Sequence, residues 1–303
     1  MPLKRKMSSS PERCKANMVQ IGLGNNQTFI YNFEGSERWS SHMQWLLGSC
    51  SIWSAEEFLG VAVEPVEEHA REASEVASEW LPRVMVMQAA IGRSENGKGT
   101  MYVLKVQDKP EGEGTDGLRV ELEYLRNMSC LGKAHPDFAE CQARIQRKHS
   151  VCVQMEPREV DVMSWESLVK KARFKGTEVL LIDAEGSDAC ILRSMLEYCS
   201  RWPEELPDLI QFESRGHCDR LEDQGVEKDV VDQLKKAGYM LVSRSRQDTY
   251  MVKKSAVERR GELRSWMETW KCRGCEMLGK YPYEMTAAGE MCTTCAMQDG
   301  KRW

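Results

Sequence analysis

The chain has 303 residues, 41% hydrophobic and 29% charged, a balance that supports a substantial core and excludes a wholly disordered tract. Its 42 basic and 47 acidic residues leave a formal net charge of -5, which argues against a domain that binds by neutralising phosphates. No segment approaches about 18 uninterrupted apolar residues, so no membrane span is expected.

Residues 1–16 read as a flexible basic tail, and no apolar stretch follows "MPLKRKMSSSPERCK" that would make it a secretory leader. The first strand signal is "NMVQIGLG" at 17–24, ending in Gly22 and Gly24. "RWSSHMQWLLGSC" then has Trp39, Met43, Leu46 and Leu47 at helical spacing. "FLGVAVEP" at 58–65 is a second strand, ended by Pro65, and Val66, Ala70, Ala73, Ala77 and Trp80 form the inward stripe of a helix. "RVMVMQAAIG" gives a third strand, and "GTMYVLKV" another after the turn "SENGKG".

Residues 108–117 are loop-like by composition, and 118–149 carry only scattered helical patterning. Order returns with the strand "SVCVQMEP" and the helix "SWESLVKKAR", where Ser164 can cap and Ser167 stands at N3. Strand 178–183 and helix 187–199 follow, then the strand "PDLIQFES". The segment "EKDVVDQLKKAGYMLVSRSRQDTYMVKK" reads as helix, glycine stop, strand, turn and strand. Strand–helix–strand units favour a mostly parallel sheet covered on both faces. "SRSRQD" is too short for a parallel crossover, so the last two strands should pair antiparallel.

Ligands of such sheets collect at the carboxyl ends of the strands. Those ends here offer Gly22, Gly24, Asn25 and Asn26, then Glu64, Gln88 and Ala89, then Asp183 and Glu185, and finally Glu213 and Ser214. Gly22 and Gly24 allow a sharp turn and close backbone approach. A dinucleotide fingerprint needs a third glycine where this chain has Gln27. Glu64 can accept the hydroxyls of an adenosine ribose, and Gln88 and Ala89 lie where an adenine ring could be sandwiched. Asp183 can face a cationic ligand, while Ser187 or Asp188 can serve the next helix end. Acidic strand ends without a basic phosphate clamp suit an adenosine that carries a sulfonium better than one that carries a pyrophosphate.

These residues resemble those of FkbM-type S-adenosylmethionine-dependent methyltransferases over roughly 17–254. The most specific piece is "LLIDAEGSDACILRSM", similar to the family's fourth-strand pattern, with Asp183, Glu185 and Gly186 on its Asp, Glu and Gly, and Asp188 where the family often has glutamate. "VQIGLGNN", "VAVEP", "VMVMQAAIG", "LIQFES" and "LKKAGYMLV" agree in order and character. The resemblance implies an α/β fold, a Rossmann-like seven-stranded sheet whose final strand is antiparallel. It also implies S-adenosylmethionine as donor and O-methylation of a small molecule or sugar. On that basis the cofactor-binding set is Gly22, Gly24, Asn26, Glu64, Gln88, Ala89 and Asp183. Glu185 is the preferred general base, with Asp183 and His217 as further candidates.

Two departures are visible. Gln20 stands where the first motif usually has an acid, and about 40 residues separate Gly24 from Glu64, which implies an insertion near 27–57 beside another near 108–150. A non-catalytic interaction scaffold and a nicotinamide-dependent oxidoreductase are the competing readings.

A linking helix is expected over 255–270. Cys272 and Cys275 then form one CxxC pair, and Cys292 and Cys295 a second, in a module spanning 271–303. Four thiolates so spaced can close around one structural Zn²⁺, and such a module offers a surface for a protein partner. The other eight cysteines are scattered singly, as in a reducing compartment, so an intracellular, cytoplasmic setting is expected.

Overall fold

The computed structural model describes residues 14–23, 58–93, 97–106, 116–214, 216–221, 224–244, 248–259, 283–284 and 291–292. Strand β1 (Cys14–Ile21) begins within the segment expected to be a tail. It is followed by β2 (Gly60–Glu64), helix α1 (Glu67–Trp80), β3 (Val84–Gln88) and the short β4 (Ala90–Ile91). Next come β5 (Gly97–Val106), α2 (Asp116–Asn127), β6 (Cys130–Leu131), α3 (Phe138–His149) and β7 (Val153–Met163). The chain continues through α4 (Trp165–Ala172), β8 (Phe174–Ile182), α5 (Asp188–Cys199), β9 (Leu209–Glu213), α6 (His217–Leu221) and α7 (Val226–Lys236). It closes with β10 (Tyr239–Arg244), β11 (Asp248–Lys253), α8 (Lys254–Arg259) and the paired strands β12 (Tyr283–Glu284) and β13 (Met291–Cys292).

A seven-stranded sheet runs in the order β10-β11-β9-β8-β1-β2-β3. The pairs β1–β2, β2–β3, β1–β8 and β8–β9 are parallel, and β11 lies antiparallel to both β9 and β10. This is the mixed, mostly parallel α/β sheet expected from the sequence, with the terminal antiparallel pairing in place. The strands are apolar on both faces because both are covered. Leu180 and Ile182 pack with Trp165, Leu192 and Val230 on one side; Val179 and Leu181 pack with Ala73, Ala77 and Val252 on the other. Ser164 caps α4 as its position implied, its Oγ accepting the Ser167 N–H at 3.2 Å.

The apolar run at 83–92, read as one strand, divides. Residues 84–88 complete the main sheet, whereas Ala90 and Ile91 pair with Val162 and Met163 in a second, four-stranded sheet ordered β4-β7-β5-β6. β5 and β7 pair antiparallel along their lengths, with Tyr102 opposite Pro157, so the strand expected to stop at Pro157 continues to Met163. At Pro157 no neighbour lies on the other side of β7 among the described residues, and a missing N–H is tolerated there. The segment with weak helical patterning holds two helices, α2 and α3, whose Leu118, Leu125, Phe138, Cys141 and Ile145 form a core with Leu104 and Val153. The unit inserted between β3 and α4 thus spans about 90–163, and the segment 108–150 expected as an insertion falls within it.

At the amino edge of the main sheet, Asp208 accepts from Lys15 Nζ at 2.7 Å and from Arg259 at 3.0 Å, fastening β1 and α8 to the start of β9. The expected insertion at 27–57, and the linking helix beyond Arg259, lie outside the described residues. No described helix is long and apolar enough to cross a membrane.

Candidate active site

Strand order reverses between β1 and β8. β2 and β3 extend the sheet to one side of β1, and β9 to the other side of β8. Ligands of open α/β sheets bind in the crevice above such a reversal. Gly22 and Asp183 meet there. Gly22 has φ +81°, its N–H donates to the Val63 carbonyl at 2.9 Å, and an added Cβ would stand 1.7 Å from the Asp183 carbonyl oxygen. Close backbone approach thus comes from the neighbouring strand end, where the sequence suggested a ligand.

Glu64 ends β2 as expected and is buried. Its Oε2 accepts the Leu23 N–H at 2.9 Å and its Oε1 the Val66 N–H at 2.8 Å. Burial raises its carboxyl above the ordinary value, while the two amides oppose the shift. Each oxygen keeps a lone pair for a ligand hydroxyl. Gln20, also buried, donates its side-chain amide to the Gly22 carbonyl at 3.1 Å, steadying the same turn.

Asp183, the first residue past β8, is exposed to water at the crevice of the strand-order reversal, with the carboxylates of Asp248 and Glu64 near enough to act on it. Desolvation, then the charges of Asp248 and Glu64, push its carboxyl up to about 6. The chain next turns through Glu185 at φ +48° and Gly186 at φ +92°. Desolvation, reinforced by Asp183 and Asp188, raises the Glu185 carboxyl well above its usual range. Asp188 is fully buried and joins two strand ends, its Oδ1 accepting the Glu213 N–H at 2.8 Å and its Oδ2 the Ala184 N–H at 3.3 Å. Burial and Asp183 push Asp188 up to about 7, and burial with Glu185, Asp188, Asp183 and Asp248 pushes Glu213 up to about 10. Asp183 therefore ionises at lower pH than Asp188 or Glu213.

The inserted unit reaches over this edge. Its loop 132–137 is tied to α6 by Lys133, which donates to the Leu221 carbonyl at 2.9 Å, and by Asp137, paired with Arg220 at 2.8 Å. Between those ties the buried His135 places Nε2 3.6 Å from Glu185 Oε2, while its Nδ1 accepts the Asp137 N–H at 3.2 Å. The Cys130 thiol donates to the Glu185 carbonyl at 3.3 Å.

Of the residues expected at the site, Glu64, Asp183, Glu185 and Glu213 converge by charge at one edge. Gln88 is exposed at the end of β3, opposite Glu64. Ala89 is 1% exposed and packed in the core, so its side chain is spent on packing rather than on an adenine face. Gly24 and Asn26 lie outside the described residues, and His217 is described only as the first residue of α6. His135 is the residue the sequence did not suggest. Its "GKAHPD" context marks a turn, and its place against Glu185 depends on how two sheets pack.

Among the described residues no group of three or more His, Cys, Asp or Glu could hold a metal ion. Cys272, Cys275 and Cys295 lie outside those residues; Cys292 is described only as backbone, opposite Tyr283. The cysteines that are described in full, such as Cys130, Cys141 and Cys199, are free thiols. Comparison with protein-family models, with curated proteins and with solved structures found no match.

Proposed function

We propose that the chain binds S-adenosylmethionine at the carboxyl edge of the main sheet and directs its methyl group to a hydroxyl oxygen of a small molecule or sugar. The observation that carries this reading is the acidic cleft at the strand-order reversal, where Asp183 is open to water among Glu64, Glu185 and Asp188. Such a cleft favours a ligand with a positive centre and no phosphate. The terminal antiparallel strand agrees with the FkbM-type resemblance.

When bound, S-adenosylmethionine supplies an electrophilic methyl group on a positively charged sulfur. Glu64 accepts ribose hydroxyls with the lone pairs its two amides leave unused. Asp183 faces the positive charge, in place of the acid that Gln20 does not provide. Glu185 accepts the acceptor's hydroxyl proton. A cation entering this cluster favours the ionised carboxylates, so Glu185 becomes a competent base once the donor site is filled.

Calorimetric titration with S-adenosylmethionine, S-adenosylhomocysteine and NAD tests the reading. S-adenosylmethionine should bind with proton release, seen as a heat that varies with the ionisation enthalpy of the buffer, and its neutral product should release fewer protons. Absence of binding by either compound at millimolar concentration removes the proposal, and heat with NAD alone replaces it with the nicotinamide reading. A separate structural proposal concerns Cys272, Cys275, Cys292 and Cys295, whose spacing suits one zinc ion per chain. Metal analysis yielding no zinc in the folded full chain would dismiss it.

A further inference from the structure

We propose that His135, carried in by the inserted unit, is the positioning residue for Glu185, so that the site's proton acceptor is completed by the second sheet. This rests on the methyl-transfer reading above. The main sheet alone leaves Glu185 in a turn, in the left-handed region at φ +48°, where non-glycine residues are uncommon. Two groups of the inserted unit lie against it: the Cys130 thiol, 3.3 Å from its carbonyl and 3.5 Å from that of Met128, and the His135 ring, whose Nε2 stands 3.6 Å from its carboxylate.

The ring itself is oriented. Nδ1 accepts the Asp137 N–H, so the neutral imidazole carries its proton on Nε2, the nitrogen that faces Glu185. The Lys133–Leu221 and Asp137–Arg220 ties hold both shoulders of the loop on α6. His135 side-chain exposure is 3% against 20% for Glu185. The histidine therefore acts through the carboxylate, which alone reaches the cleft. In the transfer step the hydroxyl proton passes to a Glu185 carboxylate oxygen, the acceptor oxygen's pair forms the new O–C bond, and the C–S pair stays on sulfur.

The pair is tested in the full chain by ¹⁵N-imidazole NMR, which needs neither donor nor acceptor. His135 should show the Nε2–H tautomer, and its ring shifts should change in Glu185→Gln. The groups that also face Glu185 are Asp183, Asp188, Glu213, Cys130 and Tyr124, so the same spectra are recorded in Asp183→Asn, to separate the field of the neighbouring Asp183 from the direct contact.

The functional arm measures consumption of S-adenosylmethionine with phenol, catechol and methyl glucoside as acceptors. Glu185→Gln should lower kcat by about 10²–10⁴-fold. His135→Leu should lower kcat by at least about tenfold with donor Kd unchanged, and His135→Gln, which restores an N–H near Nε2, should recover part of it. An Nδ1–H tautomer, or ring shifts indifferent to Glu185→Gln, overturns the pairing. Intact pairing with undiminished kcat in His135→Leu overturns the positioning role. Failure of donor binding removes the methyl-transfer reading, and the catalytic role of His135 with it, whereas the tautomer and shifts still report the pair.

Discussion

At Gly22 a single methyl group would sit 1.7 Å from the Asp183 carbonyl oxygen, on a backbone already at φ +81°. Gly22→Ala should therefore cost at least about 2 kcal/mol in urea unfolding, because strain and a backbone clash coincide. Glu64 carries a similar double burden. The sequence presents it as a ribose ligand, whose replacement by alanine should weaken binding much more than it unfolds the protein. With its oxygens satisfying the Leu23 and Val66 amides, Glu64→Ala leaves two buried donors unmet, at about 1–3 kcal/mol each. Glu64→Gln keeps one acceptor oxygen and should separate the roles. Its thermal midpoint should stay closer to that of the parent chain than that of Glu64→Ala, while donor affinity measured by calorimetry falls in both.

Leu125 and Ile145, both 0% exposed, close the small core between α2, α3 and the second sheet. Leu125→Ala should cost about 2–5 kcal/mol of local stability. Hydrogen exchange should show the loss in α3 and β5 amides before β1 or β8, and an even loss through both sheets would contradict a separable unit. The two sheets also differ in how far they could be read. β8 and β9 are buried on both sides, so their apolar runs and polar ends mark them in the sequence. β5 and β7 pair residues 47 to 65 positions apart, and Pro157 interrupts the second of them, so local pattern gives neither the partner nor the length. The carboxylates at strand ends were legible for the same reason as the strands. His135 was not, since a histidine in a turn acquires its neighbour only when the inserted unit docks.

Across the whole molecule, raised carboxyls set the response to pH. Asp183 at about 6, Asp188 at about 7 and Glu213 at about 10 all lie above their ordinary values of 3.8 and 4.5. Between the ordinary value and the raised one, the folded chain holds more protons than the unfolded chain, so stability declines as pH rises through that window. Carboxyls lowered by surface ion pairs, such as Glu166 with Lys170 and Arg201, act oppositely, losing their contribution as pH falls through their depressed values; exposed pairs of this kind contribute little. The ligand-free thermal midpoint should therefore be higher at pH 5 than at pH 8. Bound S-adenosylmethionine should narrow that difference, and a midpoint rising toward pH 8 without ligand would contradict the acidic cleft.

The placing of β11 also bears on biosynthesis. β10 leaves the ribosome first, yet its hydrogen-bonding neighbour in the main sheet is β11, which also covers the outer edge of β9. A chain terminated before Asp248 would carry an orphaned β10 and a bare β9 margin, both templates for intermolecular pairing. Nonsense products ending there should partition into inclusion bodies, whereas those ending after Lys253 retain the keystone of the sheet.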